Sequence, residues 1–419
     1  MTNTGGTTID APSDGPVDVW VDVIVVGGGI AGLWTLARLQ QAGYKSVLFE
    51  SQALGAGQTR YAQGIIHGGT KYALTGKLTA SSESVANMPS RWRACYEGNG
   101  ELDLSQAELL SDAHYLWSTT SLTSRISGFF ASKVMRARST AMESAGDKKS
   151  LPAIFQHKDF KGQFYRLDEP VFDTLSVIRA LAEPRKQSIL MIDRESLVPE
   201  DGELKVSSAN GIDYCFHYKK IIFNAGEGNE ELISRFDNKE PKMQRRPLKM
   251  VVMRGVQDDM IYAHCLGASV NPRITVTSHR DSKGNIVWYM GGQLAEDGVH
   301  KNDTELVQSA KKELNDLIPW LDLKGAQWGV LEINRAEIKK TGTTRPDSFS
   351  IEKHEDVITA WPTKLALAPV LADELVNMID EDSIERDSDL FLPEWEQLEY
   401  ADFPWDEETC WIPASEVDG

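Results

Sequence analysis

The chain is predicted to be α/β, α+β overall: a Rossmann-like nucleotide-binding domain with an inserted antiparallel-sheet substrate domain. Three observations carry that prediction. The run Val23-Ile24-Val25-Val26 is short, apolar and β-branched, as suits a strand buried in a parallel sheet. It meets a glycine turn at once, with Gly27, Gly29 and Gly32 in a G-x-G-x-x-G pattern. A second apolar run, Val47-Leu48-Phe49, then ends in Glu50, about where a dinucleotide fold needs an acid.

Each part of that unit has a physical reason. The first glycine permits a tight turn, the second lets backbone approach a pyrophosphate, and the third lets helix and strand pack closely. Ile30 and Ala31 open a helix whose apolar positions continue at Leu33, Leu36, Ala37 and Leu39, so its N-terminus faces the phosphates. Glu50 is placed to accept hydrogen bonds from a ribose. A glycine-rich turn in an α/β fold without a cofactor is the competing reading; strand, turn, helix, strand and acid all agree against it.

After Glu50 and Ser51 comes a long loop of small and polar residues, with Gly55, Gly57, Gln58, Thr59, Arg60, Gln63 and Gly64. Ile65-Ile66-His67-Gly68-Gly69-Thr70-Lys71-Tyr72 closes it. The glycine motif, the acid and the segment Ile66 to Tyr72 together resemble the FAD-dependent glycerol-3-phosphate dehydrogenases. Those belong to the D-amino-acid-oxidase type of flavoproteins, which also holds the L-2-hydroxyglutarate oxidases. The resemblance is specific over residues 22 to 80 and patchier beyond. It implies FAD as the cofactor. A nicotinamide-dependent dehydrogenase is the runner-up; such enzymes usually run from the acid straight into another strand and helix, and the loop from Gly55 to Gly69 disfavours that.

Three later segments extend the resemblance. Ile221-Ile222-Phe223-Asn224-Ala225-Gly226 is similar to the family's second cofactor-contacting glycine segment, and Thr341-Gly342-Thr343-Thr344-Arg345-Pro346 to its glycine, Arg-Pro segment. Trp361-Pro362-Thr363-Lys364-Leu365 stands where the dehydrogenases carry two glycines before a Lys-Leu pair; the glycines are missing and Lys364 is retained. The resemblance thus implies FAD contacts at Gly27, Gly29, Ile30, Ala31, Gly32, Glu50, Ser51, Gln58, Thr59, Arg60, Gln63, Gly64 and Ile65. Ala225, Gly226, Gly342, Arg345, Lys364 and Leu365 complete that set.

A flavin accepts the hydride, so the protein need supply only orientation, charge and a proton acceptor. The candidate catalytic residues are His67, Lys71, Tyr72, Lys249, Arg345 and Lys364. Three readings of His67 stay open: it packs beside the cofactor, tethers it covalently, or takes the substrate proton. Lys249 aligns approximately with a histidine of the dehydrogenases, and to act as a base it would need a depressed pKa. Lys71 stands where those enzymes have arginine, and with Arg345 it would hold an anionic substrate, Tyr72 beside them. Lys364 would stabilise the negative charge on a reduced flavin. His264, His279 and His300 are read as solvated loop residues, with a reach into the site left open. No metal is expected.

These residues imply hydride transfer from a small, anionic 2-hydroxy or amino compound to the flavin, and then to an unidentified acceptor. The alternative is an FAD-binding protein that acts through protein contacts without turnover. The formal charge of −18 argues against a nucleic-acid partner, and most of it lies in the tail: residues 380–419 hold fifteen acids and one base, Arg386. No apolar run approaches the ~20 residues of a membrane span, and the N-terminus lacks a signal peptide's pattern, so a cytoplasmic protein is expected. Cys95, Cys215, Cys265 and Cys410 form no C-x-x-C pair and are read as free thiols.

The expected division is a disordered lead over 1–17, an FAD-binding domain from 18–90, 165–240 and 330–380, and a substrate domain from 91–164 and 241–329. An acidic tail over 381–419 keeps Trp395, Tyr400, Phe403, Trp405 and Trp411, aromatics suited to strap onto the body. An amphipathic helix is expected within 126–142, packed on its own domain, lidding the site or touching a membrane surface. Strands are expected at Tyr115-Leu116-Trp117, Ser188 to Ile192, Arg246 to Gly255 and Ile286 to Gly292, with Pro272 to Lys283 joining the last two. Ile333 to Ile338 and Val357 to Ala360 are expected back in the FAD domain, and helices at Asp173 to Leu181, Glu305 to Ile318 and Ala366 to Ile379.

Overall fold

The computed structural model describes residues 15–69, 85–119, 151–200, 202–237, 240–256, 259–267, 272–339, 349–362, 364–379, 398–413 and 416. The expected helix within 126–142, most of the lead, and Lys71, Tyr72, Gly342 and Arg345 lie outside these residues.

A six-stranded sheet runs in the order Ser350–His354, Val357–Trp361, Lys220–Phe223, Val23–Val26, Ser46–Glu50, Ile189–Met191. Its neighbours are parallel except the first pair. Val23–Val26 is central and wholly buried, which explains an apolar run without alternation. Val23 and Val25 pack under the helices Ile30–Gln41, Thr174–Ala182 and Ala368–Asn377. Ile24 and Val26 face the opposite core, shared with a four-stranded sheet. That small sheet holds the expected meander, Val198–Glu200, Glu203–Ser207 and Asp213–His217, plus an edge strand, Val17–Trp20, running parallel to Asp213–His217. Val17, placed in the disordered lead by its sequence, is therefore ordered, held by a strand too far along the chain for local pattern to reveal.

The second large sheet has seven strands: Gln327–Ile338, Met243–Arg254, Ile286–Gly291, Ile274–Arg280, Tyr262–Cys265, His114–Ser118 and Gln163–Leu167. All pairs are antiparallel except Tyr262–Cys265 with His114–Ser118. Two expectations need correction. Ile274–Arg280 is a strand rather than a connection, turning back through Asp281, whose carboxylate accepts the Lys283 and Asn285 amides. Ile333 to Ile338 belongs to this sheet, because Gln327–Ile338 pairs with Met243–Arg254 along its whole length. Only its far end, Ala336 and Ile338, reaches the core of the small sheet.

One face of the seven-stranded sheet carries Val251, Met253, Val276, Trp288 and Met290 and packs on the helix Asp303–Leu317, which starts at a capping box of Asn302 and Glu305. The other face carries Met250, Val252, Tyr289, Leu331 and Ile333. Residues 398–413 lie across it as the strap their aromatics suggest. Leu54 donates its amide to the Glu399 carbonyl and accepts that of Ala401, and Ile412 donates to the Trp328 carbonyl. Trp405 between them is fully buried against Tyr289 and His279, and Arg254 lies over the Trp411 ring at 3.9 Å. The strap thus ties the loop after Glu50 to the second sheet.

Candidate active site

At the end of Val23–Val26 the chain turns through Gly27 at φ +116°, where a Cβ would stand 2.7 Å from the backbone of Asn224 and Ala225. The two glycine segments therefore touch, and only glycine fits between them. The helix Ile30–Gln41 begins without a side-chain cap from Gly29 and without an acid in its first turn, while Gly32 lies against the Gly27 carbonyl. Ile30 donates its amide to the Thr59 hydroxyl at 3.2 Å. A helix N-terminus with no acid in its first turn, lined by Gly29, Ala31 and a buried hydroxyl, fits a pyrophosphate. Glu50 Oε2 accepts the Gly28 amide at 2.6 Å, and Oε1 accepts those of Ser51 and Gln52 at 2.8 and 2.9 Å. The carboxylate is fixed at the rim of this cradle with acceptor capacity left on Oε2, so the residues present fit a dinucleotide.

The loop that follows is stitched to its surroundings by its side chains. Gln58 Oε1 accepts the Ala336 amide at 3.1 Å and lies beside Gly226, itself at φ +59°. Arg60 turns to the strap, bonding Glu407 at 2.8 Å and the Asp402 carbonyl at 3.3 Å, and Gln63 turns to the second sheet, donating to Thr277 Oγ1 and the Tyr289 carbonyl. Gly64 at φ +75° abuts the Phe172 carbonyl, and Ile65 packs on Val171 and Tyr262. Ala225 donates its amide to Asn229, whose side-chain nitrogen donates to the Ala360 carbonyl. Where the resembled enzymes carry glycines, the Trp361 indole donates to the Gly226 carbonyl at 3.2 Å, so the larger residue ties the two segments together. Lys364 precedes a short turn at Leu365–Leu367, and Leu365 packs on the core under the helices.

Lys249 needs correction as a candidate base. Its ammonium lies 2.8 Å from Asp303 and 2.9 Å from Glu332 and bonds the Lys301 carbonyl. Partial burial pulls its pKa down, but the two acids outweigh this and hold it above the ordinary lysine value, the reverse of what a base needs. Strand alternation gives the reason: Met250 faces the loop near Gln63, so Lys249 faces the helices behind the sheet.

Where the loop reaches His67, the second sheet presents histidines instead. His67 stacks on His264 with centroids 5.6 Å apart, and His264 meets His114 at 4.1 Å. His67 Nδ1 is 3.2 Å from Glu169 Oε2, and Gly68 donates to Glu169 Oε1 at 2.8 Å. His264 Nδ1 pairs with Thr275 Oγ1 at 2.7 Å. His114 is fully buried with neither ring nitrogen bonded, and the Tyr262 hydroxyl nearby on the same sheet is likewise buried and unpartnered. Burial, then the neighbouring His67, pushes the His114 pKa well below the ordinary value, so it is neutral. His264 and His279 are strand residues, and His279 is buried under Trp405, so neither is the solvated loop residue expected. Sequence reasoning missed Glu169 and His114 altogether. The only available signal was His114 alternating with Leu116 on the strand that Tyr115-Leu116-Trp117 announces.

The family model for FAD dependent oxidoreductases, DAO, matches residues 22–353. The probable FAD-dependent oxidoreductase PA4991 of Pseudomonas aeruginosa is 44% identical over 392 residues, covering 93% of this chain and 99% of that protein. Its crystal structure matches with a TM-score of 0.79 at 40% identity, covering 93% of this chain and 99% of that one. Glycine oxidase from Geobacillus kaustophilus matches with a TM-score of 0.60 at 13% identity, over 86% of this chain and 95% of that one. The dithionite-reduced L-α-glycerophosphate oxidase of Mycoplasma pneumoniae, with FAD bound, gives 0.59 at 16%, over 86% and 94%. These two share the fold. Among the described residues no helix is long and apolar enough to cross a membrane. With the family matched across most of its length and a relative this similar, the chain belongs to the DAO family of FAD-dependent oxidoreductases.

Proposed function

We propose that this FAD-dependent oxidoreductase removes a hydride from a small anionic 2-hydroxy or amino compound. The observation that carries the reading is the meeting of the phosphate-ready glycine turn, through one continuous loop, with a polar histidine face on the second sheet. The fold neighbours include an oxidase named for an amino acid and one named for glycerophosphate, which supports both branches of the substrate class.

The flavin, when bound, supplies the hydride acceptor. Gly27 to Gly32 and Glu50 hold its phosphate and ribose ends, and Ala225 and Gly226 border the same cradle. Lys71 and Arg345, with Tyr72, hold the substrate anion, and Lys364 stands nearer the flavin to stabilise negative charge there. On the second sheet Thr275 and Thr277 are buried, paired with His264 and Gln63. The acceptor that reoxidises the flavin is a separate partner. We place the protein in the cytoplasm, a reading supported by four buried cysteines all present as free thiols.

Anaerobic mixing of the holoenzyme with hydroxy acids, amino acids and phosphorylated polyols, followed by loss of flavin absorbance, tests the reading. An anion of this class should bleach the flavin fastest. An uncharged amine as the best substrate would overturn it.

A further inference from the structure

The proton that leaves with the hydride needs a destination, and the described residues offer one in the histidine cluster. We propose that His67 is the catalytic base of this site and that Glu169 is its positioning residue, fixing the ring so that Nε2 presents a lone pair to the substrate. The inference rests on the proposed substrate class, because a hydroxyl or amine is what must lose the proton.

The geometry assigns the tautomer. A carboxylate accepts and does not donate, and that of Glu169 takes the Gly68 amide on one oxygen and faces His67 Nδ1 with the other. In the neutral ring the proton therefore sits on Nδ1, and Nε2 is left as the acceptor. Exposure separates the two roles. The Glu169 side chain is 4% exposed and out of reach of a substrate, whereas that of His67 is 39% exposed. A buried carboxylate behind a reachable imidazole orients the ring and stabilises the imidazolium that forms.

One buried neighbour, His114, adds no charge beside His67. Among the described residues, three titratable groups face His67: Glu169 from the turn after Gln163–Leu167, His264 from Tyr262–Cys265, and His114 from His114–Ser118. His114 is neutral and buried, and His264 stacks on His67 with an interplanar angle of 15°. A proton arriving on His67 thus meets the Glu169 carboxylate on one side and the neutral His114 on another. The step balances: the substrate C–H bond breaks with its electron pair passing to the flavin, the O–H or N–H proton passes to His67 Nε2, and a C=O or C=N bond forms. The proton is later released to water.

Two measurements on the FAD-loaded protein test this. In ¹⁵N spectra of histidine-labelled protein, assigned with His67→Asn, the His67 ring should show Nδ1 protonated and Nε2 bare; the opposite tautomer overturns the proposal whether or not any substrate has been found. With the substrate that bleaches the flavin, His67→Ala should slow reduction at least 100-fold while dithionite reduces the variant at the parent rate. Added imidazole should restore at least tenfold of the loss, and more basic imidazoles should restore more. Glu169→Gln should slow reduction at least tenfold with little change in the half-saturating substrate concentration. Parent-rate reduction by His67→Ala, or a loss that no imidazole repairs in a variant that still holds FAD, would overturn the assignment. Failure of every anionic hydroxy and amino compound to bleach the parent enzyme would sink the substrate class and leave the tautomer result standing.

Discussion

Replacing Glu50 by glutamine changes one atom in a place where three backbone amides converge. The carboxylate serves Gly28 through Oε2 and both Ser51 and Gln52 through Oε1. A glutamine has one acceptor oxygen, and its amide nitrogen repels any N–H it faces. The less costly rotamer keeps Ser51 and Gln52 and abandons Gly28, losing one bond to a charged acceptor, about 1.5–3 kcal/mol. Solvent reaches this rim, so the low end applies to the apoprotein. The holoenzyme loses more, because a ribose hydroxyl bonded to Oε2 would lose its acceptor as well. A further ~1.5–3 kcal/mol corresponds to a rise in the FAD dissociation constant of roughly 10- to 150-fold. Urea unfolding of the apoprotein and fluorescence titration with FAD read the two terms separately. A stability loss with unchanged FAD affinity would show that Glu50 only staples the turn, and no change in either would refute the geometry itself.

Trp405→Ala should cost about 3–5 kcal/mol of stability, since the ring is fully buried against Phe403, Tyr289 and His279; urea unfolding and proteolysis within 398–413 measure it, and a variant as stable as the parent would remove the strap from the core. Burial pushes the His279 pKa down to about 3, and His114 is lowered too, so below about pH 6.5 the unfolded chain binds protons that the folded chain refuses. Stability should therefore fall as pH drops from about 6.5 toward 3, by up to ~1.4 kcal/mol per unit per histidine, and His279→Phe should flatten that slope in urea titrations. Burial pushes the thiols of Cys95 up to about 11 and of Cys265 and Cys410 up to about 12, and raises that of Cys215. A disulfide reagent near pH 8 should accordingly find all four slow in the native protein and fast in denaturant, with Cys410 the first released by Trp405→Ala.

The nucleotide half was legible because its determinants are local. Val23–Val26, Gly27, Gly32 and Glu50 lie within a single strand, turn, helix and strand, and each residue type has one steric or electrostatic task there. The substrate half was legible only as strands. Which of its residues face the loop after Glu50 depends on alternation; Lys249 is matched only through its resemblance to a histidine position, and its neighbour Met250 takes the inward place. Glu169 and His67 are 102 residues apart, and His114 and His264 meet only because their two strands pair in parallel. No spacing rule brings such residues together. The strap was suggested by its tryptophans, but its seat between the Leu54 loop and the seven-stranded sheet is a purely tertiary fact.

The strap also orders events in time. Arg60 and Glu407 stand 347 positions apart, so the loop after Glu50 is anchored by a segment made long after it. Both large sheets are complete by residue 361. A growing chain can therefore pair all their strands while Tyr289, Val252 and Leu331 still lack their cover. Closing so distant a contact is slow, and apolar surface left open meanwhile is what chaperones bind and aggregates grow from. Arrest of synthesis, or a nick ahead of residue 398, would leave an intermediate with its nucleotide turn built and an adhesive flank exposed.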